Sequence, residues 1–114
     1  MEPSFIYEAK GRTLVIHLPR ELDHHNCRNL KYETDLLMAE NYISRILFDF
    51  TGTEFMDSSG IGVIIGRSRK MGYFGGEVYA EHLSGRILKI FKVSGLHTLI
   101  RTSVPKQQKE REGE

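Results

Sequence analysis

The sequence has little that would place it outside a reducing cell interior. A single cysteine, Cys27, excludes an intrachain disulfide. Lysines and arginines (16) nearly balance aspartates and glutamates (15), and a net charge of +1 does not recruit nucleic acid or an anionic membrane. The longest apolar run, IGVIIG, is far too short to span a bilayer. Because the first residues lack the basic-then-apolar order of a signal peptide, we expect a cytoplasmic protein without nucleic-acid or membrane partners.

What is present fits one soluble domain. The chain has 114 residues, of which 39% are hydrophobic and 27% are charged. Residues 1–104 are expected to form the domain. Residues 105–114, PKQQKEREGE, follow the last apolar residue and are expected to be a polar tail, either helical or disordered.

Apolar patterning predicts five strands. Phe5–Ala9 and Thr13–Leu18 form a hairpin around a short glycine-containing turn. Arg45–Phe50 is apolar on both faces, which is typical of a central strand covered on two sides. Glu77–Ala80 and Leu99–Arg101 are two further short strands.

Three segments have helical spacing instead. The first begins near Cys27, with Asp23 or Asn26 as its cap, and the others follow the two serines and Ser84. The resulting order, β-β-α-β-α-β-α-β, predicts an α/β fold with a single mixed, mostly parallel sheet. In such sheets the functional loops lie at the carboxyl ends of the strands, and both "ELDHHN" and "MDSSGIG" occupy loops of that kind.

The stretch "FMDSSGIG", Phe55 to Gly62, allows several interpretations. Asp57 or Ser58 could simply cap a helix, with the glycines permitting close packing on the sheet. A hydrolase nucleophile fits poorly, because Met56 stands where the G-x-S-x-G elbow needs glycine. A nucleotide-binding loop also fits poorly. The glycine spacing is one residue longer than in G-x-G-x-x-G, and a chain of this length has no room for the second mononucleotide-binding half of such a fold.

A metal site at "HHNC" and a modified serine are the remaining interpretations. His24 and Cys27 are three residues apart, but two ligands do not make a site, so a small buried thiol and no metal or other cofactor are expected. A serine on an exposed turn can instead enter the active site of another protein that is a kinase. A phosphate at a helix N-terminus is tolerated by the free N–H groups, so such a modification would switch binding rather than the fold.

Three stretches resemble one known family. "ELDHHN", "FMDSSGIGVIIGR" and "IFKVSGL" are similar to those of anti-sigma factor antagonists of the STAS domain class, nearest the sporulation type. The resemblance implies the STAS fold and a regulator that is not itself an enzyme. It also implies two partners: an anti-sigma factor that is a serine kinase, and a serine phosphatase. The unphosphorylated antagonist would bind the kinase and release its sigma factor, and phosphorylation of Ser58 would end that binding.

The resemblance also indicates a docking surface. Its expected members are the residues around the serine, the upstream loop and an exposed arginine of the following helix: Arg20, Asp23, His24, Asp57, Ser59, Gly60 and Arg67. One departure is Pro19-Arg20, which stands where the family often has a glycine. An antagonist of a general-stress sigma system, or a STAS module that binds a small ligand or nucleotide, remains the alternative.

Overall fold

A computed structural model describes residues 5–102. In chain order its strands and helices are β1 (Ile6–Lys10), β2 (Thr13–His17), β3 (Glu21–Leu22), α1 (His24–Glu40), β4 (Arg45–Asp49), β5 (Phe55–Met56), α2 (Ser58–Tyr73), β6 (Glu77–Glu81), α3 (Gly85–Ser94) and β7 (Arg101–Thr102). A short 3₁₀ turn, Leu96–Thr98, connects α3 to β7. No helix within the described range is both long and apolar enough to cross a membrane.

The main sheet has five strands in the order β1-β2-β4-β6-β7. Only β1 and β2 pair antiparallel, as expected for strands joined by a tight turn. The other pairs are parallel, with Leu14 opposite Ile46 and Ile46 opposite Val78. The carboxyl ends of β2, β4 and β6 therefore lie at the same end of the sheet, and the loops that lead into the helices leave from that end.

Alternate residues of the central strands face the buried side of the sheet, and the other side is only partly covered. Along β4, Ile46 and Phe48 are buried, whereas Arg45 is exposed and Leu47 and Asp49 are half-buried. The prediction of a central strand covered on both faces is therefore wrong.

Ile46, Phe48 and Ile16 have no exposed surface, and Phe50 contacts Phe91 of α3 edge to face at a ring separation of 5.5 Å. At roughly 25 cal/mol for each Å² of apolar surface removed from water, burial of such large side chains contributes substantially to the driving force for folding. The core therefore holds the carboxyl ends of the strands in place beneath the loops.

The helix ends follow the local rules of the sequence. Asp23, Asp57 and Ser84 occupy the N-cap positions of α1, α2 and α3, and each accepts hydrogen bonds from first-turn N–H groups. Gly95 ends α3 at φ 85°, a left-handed conformation that glycine adopts without strain.

The predicted α/β class, the three helices and the mixed, mostly parallel main sheet are confirmed, but the single sheet and the bounds of several elements were wrong. The sheet is not single, because β3 and β5 form a separate two-stranded parallel sheet. Two-residue strands have no periodicity for a sequence pattern to reveal. The last strand is Arg101–Thr102, rather than Leu99–Arg101, and β4 ends at Asp49, before Phe50. The hairpin strands are Ile6–Lys10 and Thr13–His17, rather than Phe5–Ala9 and Thr13–Leu18, and β6 extends one residue further, to Glu81. The predicted tail, 105–114, lies outside the described residues.

Candidate functional site

The small sheet brings two helix starts together. β3 leads into α1, β5 leads into α2, and their pairing sets Leu22 opposite Met56. The Asp57 N–H extends this pairing by donating to the Leu22 carbonyl at 3.2 Å. The loops "ELDHHN" and "MDSSGIG", distant in sequence, therefore lie side by side at the carboxyl edge of the main sheet.

The start of α1 is fixed by a reciprocal capping box. The Asp23 carboxylate accepts from the Asn26 N–H at 3.2 Å, and the Asn26 side-chain oxygen accepts from the Asp23 N–H at 3.1 Å. The Asn26 amide also donates to the Glu21 carbonyl at 2.8 Å. Of the two caps that the sequence allowed, Asp23 is the N-cap and Asn26 completes the box.

Asp57 joins the two helix starts. Its Oδ1 accepts from the Ser59 and Gly60 N–H groups at 2.9 and 3.1 Å, and its Oδ2 accepts from the His24 N–H at 3.2 Å. Desolvation opposes ionisation of this carboxyl, but the three backbone hydrogen bonds outweigh it and lower its pKa. Asp57 is therefore ionised, and both of its carboxylate oxygens accept hydrogen bonds from backbone N–H groups of the protein, which ties the two helix starts together.

Gly60 is where the backbone of α2 approaches β3. A Cβ at this position would lie 2.6 Å from the Leu22 carbonyl oxygen and 3.1 Å from the Met56 Cβ. Such distances are well below contact, so only glycine fits. Gly60 is buried, and its role in the structure is to allow this close approach rather than to present a side chain.

The two serines differ in their surroundings. Ser58 is the first residue of α2 and is exposed, and its hydroxyl has no hydrogen-bond partner among residues 5–102. Ser59 is half-buried, and its Oγ lies 3.4 Å from Nδ1 of the exposed His24. The free hydroxyl is therefore that of Ser58, at a helix N-terminus where N–H groups and the helix dipole favour negative charge.

Arg20 lies at the rim of this site. Its guanidinium pairs with Glu54 at 2.9 Å, with both side chains largely exposed, and its carbonyl accepts from the Glu54 N–H at 2.8 Å. The neighbouring Pro19 carbonyl accepts from the Thr53 hydroxyl at 2.8 Å. The backbone on either side of Arg20 is thus tied to the loop that precedes β5.

The predicted exposure of Arg67 is wrong. Only 4% of this residue is accessible, and its guanidinium donates to Asp35 of α1 at 2.5 Å and to the Thr34 hydroxyl at 3.2 Å. The helical spacing of α2 turns Arg67 toward α1, where a buried cation needs a carboxylate. Its side chain is therefore occupied between helices and is not part of the surface described above.

Cys27 is buried, as expected, and is not part of a metal site in the described part of the chain. Burial first, and then the negative charges of Asp57 and Asp23, raise the pKa of its thiol to about 11. A thiol that stays protonated at neutral pH is a poor nucleophile and a poor metal ligand. Cys27 packs beneath the start of α1 as a small apolar group.

Sequence reasoning missed two features at this edge of the sheet. Phe55, directly before the buried Met56, is 44% exposed beside the serine turn. In addition, His17 lies between two carboxylates, Glu8 at 2.5 Å and Asp49 at 2.6 Å, while His82 pairs with the other oxygen of Asp49 at 2.9 Å. Polar residues at the ends of neighbouring parallel strands are the signal that could have indicated this network.

The STAS domain family model matches residues 4–109. The chain is similar to the anti-sigma F factor antagonist of Lysinibacillus sphaericus, with 33% identity over 84 residues, covering 74% of this chain and 72% of that relative.

Two solved structures share the fold and, at 29% identity, part of the sequence. The anti-sigma factor antagonist SpoIIAA in its unphosphorylated form superposes with a TM-score of 0.78, covering 94% of both chains. The Bacillus cell fate determinant SpoIIAA in its phosphorylated form superposes with a TM-score of 0.70, covering 94% of this chain and 97% of that one. These matches confirm the predicted STAS fold.

Proposed function

The chain belongs to the STAS-domain family, and we propose that it is an anti-sigma factor antagonist whose binding is switched off by phosphorylation of Ser58. The observation that carries the proposal is the exposed, unengaged hydroxyl of Ser58 at the first position of α2. Similarity to an anti-sigma F factor antagonist, and to SpoIIAA in both phosphorylation states, supports the same role.

In this proposal Ser58 is a substrate rather than a catalyst. Its hydroxyl has no base as a hydrogen-bond partner within residues 5–102, so the proton acceptor and the ATP must come from a partner kinase. That kinase is the anti-sigma factor itself, and a serine phosphatase restores the free hydroxyl. The protein binds no cofactor in this scheme and acts in the cytoplasm.

The unphosphorylated site offers a pre-formed surface. Arg20, Asp23 and His24 stand on one loop, and Asp57 and Ser59 stand on the other, which the short β3–β5 pairing holds in register. Because Asp57 and Gly60 are used inside the protein, they hold the serine turn in place for the partner. A pre-organised surface loses less entropy on binding than a loop that must first become ordered.

Phosphorylation would change the surface without unfolding it. A phosphate adds about two negative charges and three acceptor oxygens at the start of α2, where free N–H groups tolerate an anion. The added charge and bulk would stand where the kinase docks, beside the ionised Asp57. Repulsion and steric exclusion would then release the antagonist with its fold intact.

The modification is tested by intact mass after incubation with the cognate anti-sigma factor and ATP. We expect one added phosphoryl group on the wild type and on Ser59→Ala, and none on Ser58→Ala. Retention of the phosphate by Ser58→Ala would assign it to another residue. Hydrolysis of model esters by the protein alone would instead favour a hydrolase.

The switch in binding is tested with Ser58→Asp, which places a negative charge at the same turn. We expect this variant to unfold cooperatively at the same urea concentration as the wild type, yet to bind the anti-sigma factor at least about tenfold more weakly. The matched control is Ser44→Asp, which changes an exposed serine just before β4, at the amino end of that strand. Undiminished binding by Ser58→Asp would contradict a docking switch.

A further inference from the structure

The solvent face of α3 carries cations that form no ion pair with a carboxylate of the described residues. Arg86, Lys89 and Lys92 are exposed, and none forms an ion pair with another residue between 5 and 102. Residues 82–102 contain no aspartate or glutamate. Because residues three apart are neighbours on a helix surface, the three charges form one positively charged patch.

Apolar side chains are interleaved with these cations. Val93 is 80% exposed and follows Lys89 by one helical turn, and Leu88 is 36% exposed one turn before Lys92. We call Arg86, Leu88, Lys89, Lys92 and Val93 the α3 face. Charged residues around exposed apolar side chains are typical of the rim and centre of a protein–protein interface.

The N-terminal end of the α3 face lies near the segment that leads into the serine turn. Arg86 and Ser84 line a cleft of about 290 Å³ with Glu54, the residue just before β5. α3 packs against β5, whose Phe55 is 44% exposed and stands three residues before Ser58. A partner that contacts Ser58 can therefore also cover Phe55 and, across the cleft at Glu54, reach Arg86 at the start of α3.

We propose that Phe55 and the α3 face form a second half of the docking surface for the anti-sigma factor, and that they meet an acidic surface on that partner. This inference rests on the proposed function above. Three cations without an ion pair among residues 5–102 favour an anionic counterpart, which they would attract over about a Debye length, 8–10 Å at physiological salt. Phe55 would supply the desolvated aromatic anchor that protein interfaces commonly use.

The same arrangement accounts for the direction of the switch. A phosphate on Ser58 adds about two negative charges to a surface whose partner is itself acidic. The α3 cations would favour docking in the unmodified state, and the phosphate would oppose it in the modified state. The α3 cations would attract, and the phosphate would repel, the same acidic surface of the partner, so the switch requires no change in the backbone.

The test measures binding of the full chain to its cognate anti-sigma factor by surface plasmon resonance at about 0.05 M and 0.5 M salt. The basic patch is reversed in Lys89→Glu/Lys92→Glu, and the matched control is Lys10→Glu/Arg12→Glu, in the hairpin at the opposite end of the strands. We expect the first variant to bind at least about tenfold more weakly at low salt, mainly through a slower association rate, and the difference to shrink at high salt.

Phe55 is tested separately with Phe55→Ala, against Tyr73→Ala at the far end of α2, which is 86% exposed. We expect the first to dissociate at least about tenfold faster at both salt concentrations and the second to bind as the wild type does. Circular dichroism melts of each variant separate lost docking from lost folding, since only variants with wild-type cooperativity are compared.

Three outcomes would overturn the inference. If charge reversal on α3 weakens binding no more than its control does, the α3 face has no role in docking, and the proposed function still stands. Failure of the wild type to bind the anti-sigma factor at all removes the proposed function as well. Co-sedimentation of the wild type, but not of Lys89→Glu/Lys92→Glu, with phosphatidylserine vesicles would assign the patch to a membrane surface instead.

Discussion

At the scale of single residues, the site depends most on Gly60. The missing side chain at this position lets the Leu22 carbonyl approach the first turn of α2, and that approach aligns the two loops. Asp57, three residues earlier, can reach the His24 N–H of α1 only because the two helix starts are this close. A hydrogen-bond clamp and a small residue thus act together.

Alanine at Gly60 is therefore expected to destabilise the protein. Its Cβ would lie 2.6 Å from the Leu22 oxygen, and overpacking of this kind costs about 1–3 kcal/mol. The matched control is Gly62→Ala in the same helix, where a Cβ meets nothing within 4 Å and better helix propensity adds about 0.5–1 kcal/mol. Urea denaturation measures both, and a Gly60→Ala variant as stable as Gly62→Ala would contradict the close approach.

At the scale of elements, α1 and α2 are joined by a charged contact within the apolar layer. Arg67 of α2 is 4% exposed, and Asp35 of α1 accepts from it at 2.5 Å and from Lys70 at 2.6 Å. Burial opposes ionisation of Asp35, but hydrogen bonds from Lys70 and Arg67 lower its pKa to about 2. The pair fixes how the two helices are placed relative to one another.

Removal of Asp35 should cost far more than removal of Lys70. Asp35→Ala leaves the buried Arg67 without its carboxylate, which costs about 3 kcal/mol, whereas Lys70→Ala removes a partly exposed partner worth about 1 kcal/mol or less. Chemical denaturation at neutral pH gives both values. The wild-type advantage over Asp35→Ala should be complete above the ordinary carboxyl pKa near 3.8 and fall as the pH drops toward 2. Equal losses in the two variants would show that Arg67 does not depend on Asp35.

At the scale of the whole molecule, one histidine joins three strands. His17 of β2 contacts the Glu8 carboxylate of β1 through Nε2 and the Asp49 carboxylate of β4 through Nδ1. Asp49 also accepts from the Thr51 hydroxyl and contacts His82, and Lys10 lies 3.9 Å from Glu8. Two carboxylate neighbours require N–H on both ring nitrogens, so the geometry favours the imidazolium form. The hydrogen bonds to Glu8 and then to Asp49 raise the pKa of His17.

Stability should therefore fall on the alkaline side. Since the folded-state pKa of His17 is above its unfolded value near 6.5, its contribution is complete below that value and is lost as the pH rises through the raised pKa. We expect the gap in urea midpoint between wild type and His17→Gln to be largest in mildly acidic solution and to close at alkaline pH. His25→Gln, at an exposed position of α1, is the control and should show no such trend. A gap that does not change with pH would mean that the imidazolium is not what joins the strands.

The sequence predictions were correct where a feature depends on residues close along the chain, and they failed where it depends on residues far apart in sequence. Helices α2 and α3, the hairpin and the central strand depend on local propensity and on periodicity, and all were predictable. The exposed hydroxyl of Ser58 follows from its position at a helix start. The exposure of Arg67 was mispredicted because its environment depends on Asp35, 32 residues away, which no local pattern indicates.

The sequence by itself determined the STAS-type α/β order and the two loops at the strand ends, and it narrowed the caps of α1 and α2 to two candidates each, since these depend on residues close along the chain. Only the tertiary structure decided that Leu22 and Met56 pair, that Asp57 clamps both helices, that Arg67 turns inward and that α3 packs against β5. The physical reason is that such contacts form between elements whose relative placement is set by burial of the common core, and that placement is a property of the whole chain rather than of any segment.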